Sequence, residues 1–475
     1  MAPSPSVARD SESLTNYSPP SFLEHLLVTV VKRITDTAHQ LQGSYIMSRL
    51  LPCSNTAFST LPIELNQAIA HQLDNDVDIA RFRAICRGTN DAVDADNGSF
   101  WRARFRNKYA LKDGRSNTLL KKTYQKRAKQ LRRGTGYDFF RGHKMLEMDV
   151  SFEGPCEVDE YGRPWCKNQR ALKKFVVESK ILLSNRRAPT ARGEPDSVHP
   201  LLAAVKLMCS HFLFDLEDAK HNVFAVEESQ RMVYLATNAA PLYSGLGLTQ
   251  VNMEWMLHCL HFFRHHMMDE EVATLHTAMS DLSPMQKPSP WQEPLRKGSY
   301  TLGTHWKGTY AFLDVPEITK LRRLPLDQID GNYFCDKNVD EGKIQSLELE
   351  FVEGAQLEWP DIFEKRLHSL RNTVEPQSRT KPKGEPDSEN LQFKGTGVDL
   401  DDDFNAIGWL NPLPVQHGIP GWQRITFMKH FMDDFDQDEQ DNLWAYEGVV
   451  LPGGRIILGR WWYASENVNL NASYL

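Results

Sequence analysis

The chain has 475 residues, 41% of them hydrophobic and 25% charged, the balance of a soluble globular protein with room for about three domains. A net charge of -7 argues against a protein whose task is to coat nucleic acid, since such proteins are usually basic. The seven cysteines, Cys53, Cys86, Cys156, Cys166, Cys209, Cys259 and Cys335, are odd in number and lack CxxC spacing; they suggest neither a disulfide framework nor a zinc site, and a reducing compartment, cytoplasmic or nuclear.

Residues 1–20 are rich in Ser and Pro with little apolar mass and read as a disordered tail. Within 21–50, Leu23, Leu26, Leu27, Val30, Val31, Ile34, Ala38 and Leu41 mark an amphipathic helix that is expected to pack back on the folded body. Its apolar run, 26–31, is too short for a membrane span and follows no basic segment, so neither a membrane partner nor a signal peptide is expected.

Residues 56–110 carry several helix signals in register. Pro62 fits a first helical position, where a missing N–H loses nothing, and Glu64 falls in the first turn, where the helix dipole favours a carboxylate. Leu61, Leu65, Ile69 and Leu73 recur every four residues and form one apolar stripe. The Asp74-Asn75-Asp76 cluster ends that helix, and Asp76 is placed to cap a second one carrying Ile79, Phe82, Ile85 and Cys86. A third opens after Gly98-Ser99 with Trp101, Phe105 and Tyr109 as an aromatic ridge. Three short helices cannot hide every stripe internally, so one face is expected to serve a partner.

The ordered pattern Leu61-Pro62-x-Glu64-Leu65, Ile69, Leu73, Asp78-Ile79, Phe82-Arg83, Cys86-Arg87 and Trp101-Arg102 resembles an F-box. Gly88 and Asn90 depart from it, standing where that family more often has bulky or basic residues. The resemblance implies a three-helix module that binds a Skp-family adaptor and through it a cullin-RING ubiquitin ligase. The residues it implicates are Leu61, Pro62, Ile63, Leu65, Ile69, Leu73, Ile79, Phe82, Cys86 and Trp101. The plainer alternative is a helical hairpin inside a larger all-α core.

From 102 to 144 fifteen Lys or Arg residues face only Asp113 and Asp138. A basic surface of this kind suits acidic or phosphorylated partners, and Arg127, Arg132 and Arg133 are the candidate substrate contacts because guanidinium groups grip phosphate in bidentate fashion. A solvated helix face is the alternative.

The middle, 111–283, reads as mostly helical. His258, His261 and His265 share a helical face, but a metal would need further ligands that the sequence does not single out, and neighbouring His258 and Cys259 point in different directions, which excludes a catalytic dyad. No metal and no cofactor are expected.

A Pro-rich linker, 284–298, precedes a change to alternating, glycine-punctuated segments. Strand follows strand with short connections through FKGTGVDL, FNAIGWL, WQRITFMKHF, LWAYEGVVL and RIILGRWWY, which demands antiparallel neighbours and a meander; closure into a barrel would remove exposed edges. Trp422 and Trp461 are expected in or near its core. A charged, Pro-containing segment, 372–390, reads as a disordered loop. The acidic run beginning at Asp433 is not an EF-hand, because Glu439 and Ala445 stand where that loop needs Gly and a bidentate Glu.

The strand series over 299–465, with its glycine-aromatic starts and the terminal Gly459-Arg460-Trp461, is similar to the lipocalin-like barrel that follows the F-box in some F-box-only proteins, many of them fungal. The fold class expected is thus α+β multidomain: an N-terminal three-helix F-box, a helical middle and a C-terminal antiparallel meander β-barrel. The expected function is that of a non-catalytic substrate-recognition adaptor of an SCF-type ligase, the barrel recruiting the substrate. The alternatives are a small-ligand-binding barrel, favoured by the wealth of Trp, and an F-box protein acting outside a ligase.

Overall fold

The computed structural model describes residues 57–111, 114–134, 157–158, 164–165, 167–178, 200–209, 214, 224–235, 242–245, 249–271, 274–288, 295, 297–325, 328, 334–336, 343–352, 390–400, 402–431 and 443–463. The expected tail at 1–20, the helix at 21–50 and nearly all of the 372–390 loop lie outside the described residues. By contact the chain forms two compact units, one of Met1–Arg104 with Ser116–Tyr124, the other of Phe105–Arg115 with Gln125–Leu475.

The first unit is helical. A single turn, α1 (Ala57–Thr60), leads into α2 (Ile63–His71), α3 (Asp76–Arg83), α4 (Arg87–Lys108) and α5 (Asn117–Gly134), of which α4 from Phe105 and α5 from Gln125 count with the second unit. Pro62 is the residue before α2 rather than its first, and its φ of -53° with ψ of 148° aims the chain into the helix. The cap of α3 is Asn75, whose side chain accepts from the Val77 N–H, while Asp76 sits in the first turn. Both roles satisfy the orphan donors of a helix start, and Asn75 wins because its backbone is extended there. Helix α4 breaks at 95–98, where Asp96, Asn97 and Gly98 all have positive φ, so its second arm opens after Gly98 as the sequence predicts.

Phe82, Phe100, Val93, Ala92 and Leu120 form a fully buried interior, with Phe58 edge-on to Phe82 and Phe100 edge-on to Trp101. Asp94 ties the frame together. Arg83 reaches it at 2.9 Å, Lys121 at 2.6 Å and the Trp101 indole N–H at 2.8 Å. Burial would raise this carboxyl, but the hydrogen bonds from Lys121 and Trp101 and the charge of Arg83 outweigh it and hold the pKa below its ordinary value.

In the second unit, helices α6 (Lys167–Glu178), α7 (Pro200–Met208), α8 (Val226–Tyr234), α9 (Met253–Met268) and α10 (Thr274–Asp281) come first, with two small hairpins, β1 (Glu157–Val158) with β2 (Pro164–Trp165) and β3 (Tyr243–Ser244) with β4 (Gln250–Val251). Then follow seven antiparallel strands: β5 (His305–Gly308), β6 (Gln345–Val352), β7 (Leu391–Asp399), β8 (Asp402–Pro412), β9 (Gln423–Phe431), β10 (Leu443–Val450) and β11 (Ile457–Tyr463). Each pairs only with its sequence neighbours, so the predicted meander is what forms. A helix, α11 (Val315–Arg323), interrupts the series after β5; Asp314 stands at its N-cap, Pro316 in its first turn, and Ile318 and Leu321 bury its inner face.

The sheet is curled into a half-barrel, and among the described residues β5 and β11 remain its two edges. Four residues of the 300–313 segment pair as β5 and Phe312 adds a single isolated bridge before the chain turns into α11. The edges meet through side chains: the Tyr310 and Phe312 rings, just past β5, lie 5.1 Å and 6.1 Å from Trp461 of β11. Gly408 permits the curl, since a Cβ there would fall 2.4 Å from the Phe393 ring and 2.5 Å from the Thr426 carbonyl oxygen.

Alternation gives the two faces opposite tasks. On the concave face Leu349, Phe393, Leu410, Ile425 and Val450 make one apolar plug. On the convex face of β9–β11, Val449 and Leu458 join a larger cluster with Leu257, Leu260 and Phe262 of α9, so the helical middle and the sheet share one core. Trp422, fully buried, belongs to that core, and Trp461 is buried on the concave side. A buried Arg424–Glu447–Arg460 group lies on this convex face, with Arg424 over the Tyr243 ring at 4.9 Å and the Tyr243 hydroxyl donating to the Gly448 carbonyl at 2.8 Å.

Candidate functional site

Burial divides the residues that the sequence assigns to adaptor binding. Ile69, Leu73, Ile79, Phe82 and Trp101 are buried inside the first unit. Cys86 and Leu61 are half-buried, Pro62 is exposed, and Ile63 and Leu65 keep 43% and 48% of their surface in solvent. The stripe therefore changes side along α2. At 100° per residue, Asn66, Ile69, Ala70 and Leu73 centre on the buried direction, and Ile63 and Leu65 flank it in the first turn. Asn66 fixes this rotation by donating to the Phe58 carbonyl at 3.0 Å. The outcome is an exposed apolar turn standing on an aromatic core.

The three arginines proposed from the basic run do not act alike. Arg127 is half-buried, stacked 5.4 Å from Phe105 and 5.0 Å from Tyr109, and it donates to Asn168 at 3.2 Å. It is spent on internal packing of the second unit. Arg132 and Arg133 lie in the last turns of α5, and their side chains fall outside the described residues. Elsewhere on that helix Lys122 and Lys129 are exposed.

The histidines of α9 turn to different partners. His258 and His261 turn to the buried hydroxyl of Ser229, at 3.3 Å and 3.5 Å, and His258 stacks on Phe224 at 3.8 Å. His265 instead faces Asp269, the residue that caps the C-terminus of α9, at 3.4 Å. His266 is fully buried, 3.9 Å from an Asp336 carboxylate that Gln230 and Tyr234 already hold. Burial pushes the His261 and His266 imidazoles down to about 3, with the neighbouring charges of Arg264 on His261 and of His265 on both adding to it. Neutral His266 therefore makes no ion pair with Asp336. Among the described residues no group of three or more His, Cys, Asp or Glu side chains could hold a metal ion, and no helix is long and apolar enough to cross a membrane.

The most elaborate arrangement lies on the concave face, beyond the apolar plug. Lys429 sits at an inward position of β9, in register with Ala406 and Trp444. Its ammonium is buried, bonded to the Asp399 carboxylate and to Gln345 Oε1 at 3.2 Å. The rings of Phe404 and Phe431 close on it at 4.0 Å and 4.5 Å. Burial draws the Lys429 pKa down, and the Asp399 partner offsets only part of this. The Tyr310 hydroxyl also donates to Asp399, at 3.4 Å.

Around this pair runs an aromatic wall. Trp444 meets Trp461 at 4.9 Å, Tyr446 stacks parallel to Phe427 at 4.5 Å, and Tyr446 lies 6.4 Å from Trp461. Phe427, Phe431, Trp444 and Tyr446 are half-buried, and Tyr446 is held between Phe427 and Trp461. Desolvation, and then the nearby Asp399 carboxylate, hold the Tyr446 phenol well above its ordinary pKa.

Sequence reasoning found the aromatics but not the pair. The signal was present in QRITFMKHF, where Lys429 shares the parity of Ile425, Phe427 and Phe431 and so must point inward. Its partner Asp399 stands near the end of FKGTGVDL, thirty positions away, where no local pattern joins the two. Compared with family models, with curated proteins and with solved structures, the chain matches none.

Proposed function

We propose that the chain is the substrate-recognition adaptor of an SCF-type cullin-RING ubiquitin ligase, with the first unit acting as an F-box. The observation that carries this reading is the first turn of α2. Ile63 and Leu65 are exposed beside Leu61 and Pro62 while Ile69, Leu73, Ile79 and Phe82 fill the core beneath, which leaves an apolar turn for a Skp-family adaptor to cover. In the same reading the curled sheet is lipocalin-like, Tyr310 and Phe312 against Trp461 stand where backbone pairing would complete a barrel, and its concave face takes the substrate.

The test is Ile63→Ser with Leu65→Ser, chosen because neither side chain belongs to the buried interior. Co-expression with a Skp-family adaptor should recover a complex for the native chain, and the double variant should lose about a hundredfold in affinity, two exposed anchors together being worth roughly 3 kcal/mol. Its melting temperature should stay within about 2 °C of the native value. Equal co-purification of native and variant chains would remove the reading.

A further inference from the structure

We propose that the buried convex face of β8–β11, where the sheet meets the helical middle of the second unit, holds a small inorganic anion of the size of chloride. Its residues belong neither to the first turn of α2 nor to the concave face, so the site stands or falls apart from adaptor docking.

Strand register brings the site together. Asn411 of β8 stands opposite Arg424 of β9, and Trp409 stands opposite Thr426. Thr426 in turn faces Glu447 of β10, which faces Arg460 of β11. These positions alternate with Leu410 and Ile425 of the apolar plug, so they share the other face of the sheet. Trp422, two residues before Arg424, lies in the core on that side with Val449 and Leu458. Asn411, Trp422, Arg424, Thr426 and Glu447 each retain 4% or less of their surface.

Polar groups at this depth are ordinarily paired. Here the Asn411 amide is bonded at neither end, and the Thr426 hydroxyl and the Trp409 and Trp422 indole N–H groups have no hydrogen-bond partner among the described residues. Nearly all of these groups donate. Their one acceptor is the Asn411 oxygen, and the nearby carboxylate is engaged, since Glu447 takes Arg424 on one oxygen and Arg460, at 3.0 Å, on the other. A water molecule brought here would need acceptors for its own hydrogens, which this face does not supply. An anion accepts from every side and donates nothing. The guanidinium groups of Arg424 and Arg460 give the face the matching sign, and Arg424 is held in place over the Tyr243 ring at 4.9 Å. Burial holds the Arg460 pKa below its ordinary value, with Arg424 adding to it, although Glu447 acts the other way. Cross-strand neighbours have Cβ atoms about 5 Å apart, a spacing at which one ion of atomic size touches several of them at once.

The experiment is urea unfolding of the full chain in sodium chloride and in sodium gluconate at equal ionic strength, gluconate being too large for a closed face. Raising chloride from about 5 to about 200 mM should move the urea midpoint up by about 0.5 M beyond any change in gluconate. Asn411→Leu and Thr426→Val each remove part of the donor set and should each lose about half of that increment or more. In gluconate both should be at least as stable as the native chain, because fewer buried groups go unpaired. Thr426→Val keeps the shape of the side chain and decides the matter if Asn411→Leu does not fold. Lys394→Gln removes an exposed cation from the same side of the sheet in β7 and should keep the whole increment, which separates a site from general salt effects. Equal midpoints in the two salts, an increment that survives Thr426→Val, or an equal loss in Lys394→Gln would each overturn the proposal.

Discussion

At the scale of single residues, the Asp399–Lys429 pair shows how a buried charge is tolerated. Removing an ammonium from water costs several kcal/mol, and the carboxylate, the Gln345 oxygen and two ring faces offset that cost locally. One partner without the other is the unfavourable state. Lys429→Met should therefore destabilise the second unit by about 3 kcal/mol, because Asp399 is left buried and charged. Adding Asp399→Asn to it should restore at least half of the loss. Urea unfolding of both variants checks this, and a double variant that is less stable than the single one would show that the pair contributes more than mutual neutralisation.

The elements show the same economy in backbone form. Helix α3 is stopped and started by short polar side chains, and α4 is broken by three consecutive residues with positive φ, so the first unit owes its turns to local chemistry. The sheet owes its curl to close approach. At Gly408 the space for a side chain is already taken by Phe393, Phe427 and the Thr426 backbone. Gly408→Ala should cost about 1–3 kcal/mol, since backbone and ring must both shift, and should reduce the fluorescence signature of the stacked Phe427–Tyr446 wall. The matching change at Gly303, whose added Cβ meets nothing within 4 Å, should be nearly neutral. Comparable losses at both positions in thermal denaturation would assign the effect to chain entropy instead of packing.

For the molecule as a whole, the buried imidazoles set a limit on the acid side. His261 and His266 are held at about 3 by burial, against about 6.5 in an unfolded chain. Between those values the unfolded state binds more protons than the folded one. The contribution of the neutral imidazoles is thus complete above pH 6.5 and is lost as pH falls toward 3, by about 1.4 kcal/mol per unit for each residue. The urea midpoint should be level near pH 7 and should fall steadily below 6.5, and His266→Gln should flatten that slope. A midpoint unchanged from pH 7 to pH 5 would mean that both histidines are protonated within the fold.

The chain by itself determined whatever depends on near neighbours. Helix period in LPIELNQAIAHQL, turn residues at 74–76 and at Gly98, and strand following strand through short connections in the last hundred residues specified helices, breaks and an antiparallel meander, because those preferences are local. What it left open is what non-local contact decides. Which half of the α2 stripe is covered depends on Asn66 finding the Phe58 carbonyl, and Arg127 is drawn inward because Phe105, Tyr109 and Asn168 lie within its reach. Lys429 and Asp399 stand thirty positions apart and meet only because β7, β8 and β9 are laid side by side. How far the curled sheet continues beyond β5 follows from where the chain goes next, and there α11 claims the residues that a longer strand would need.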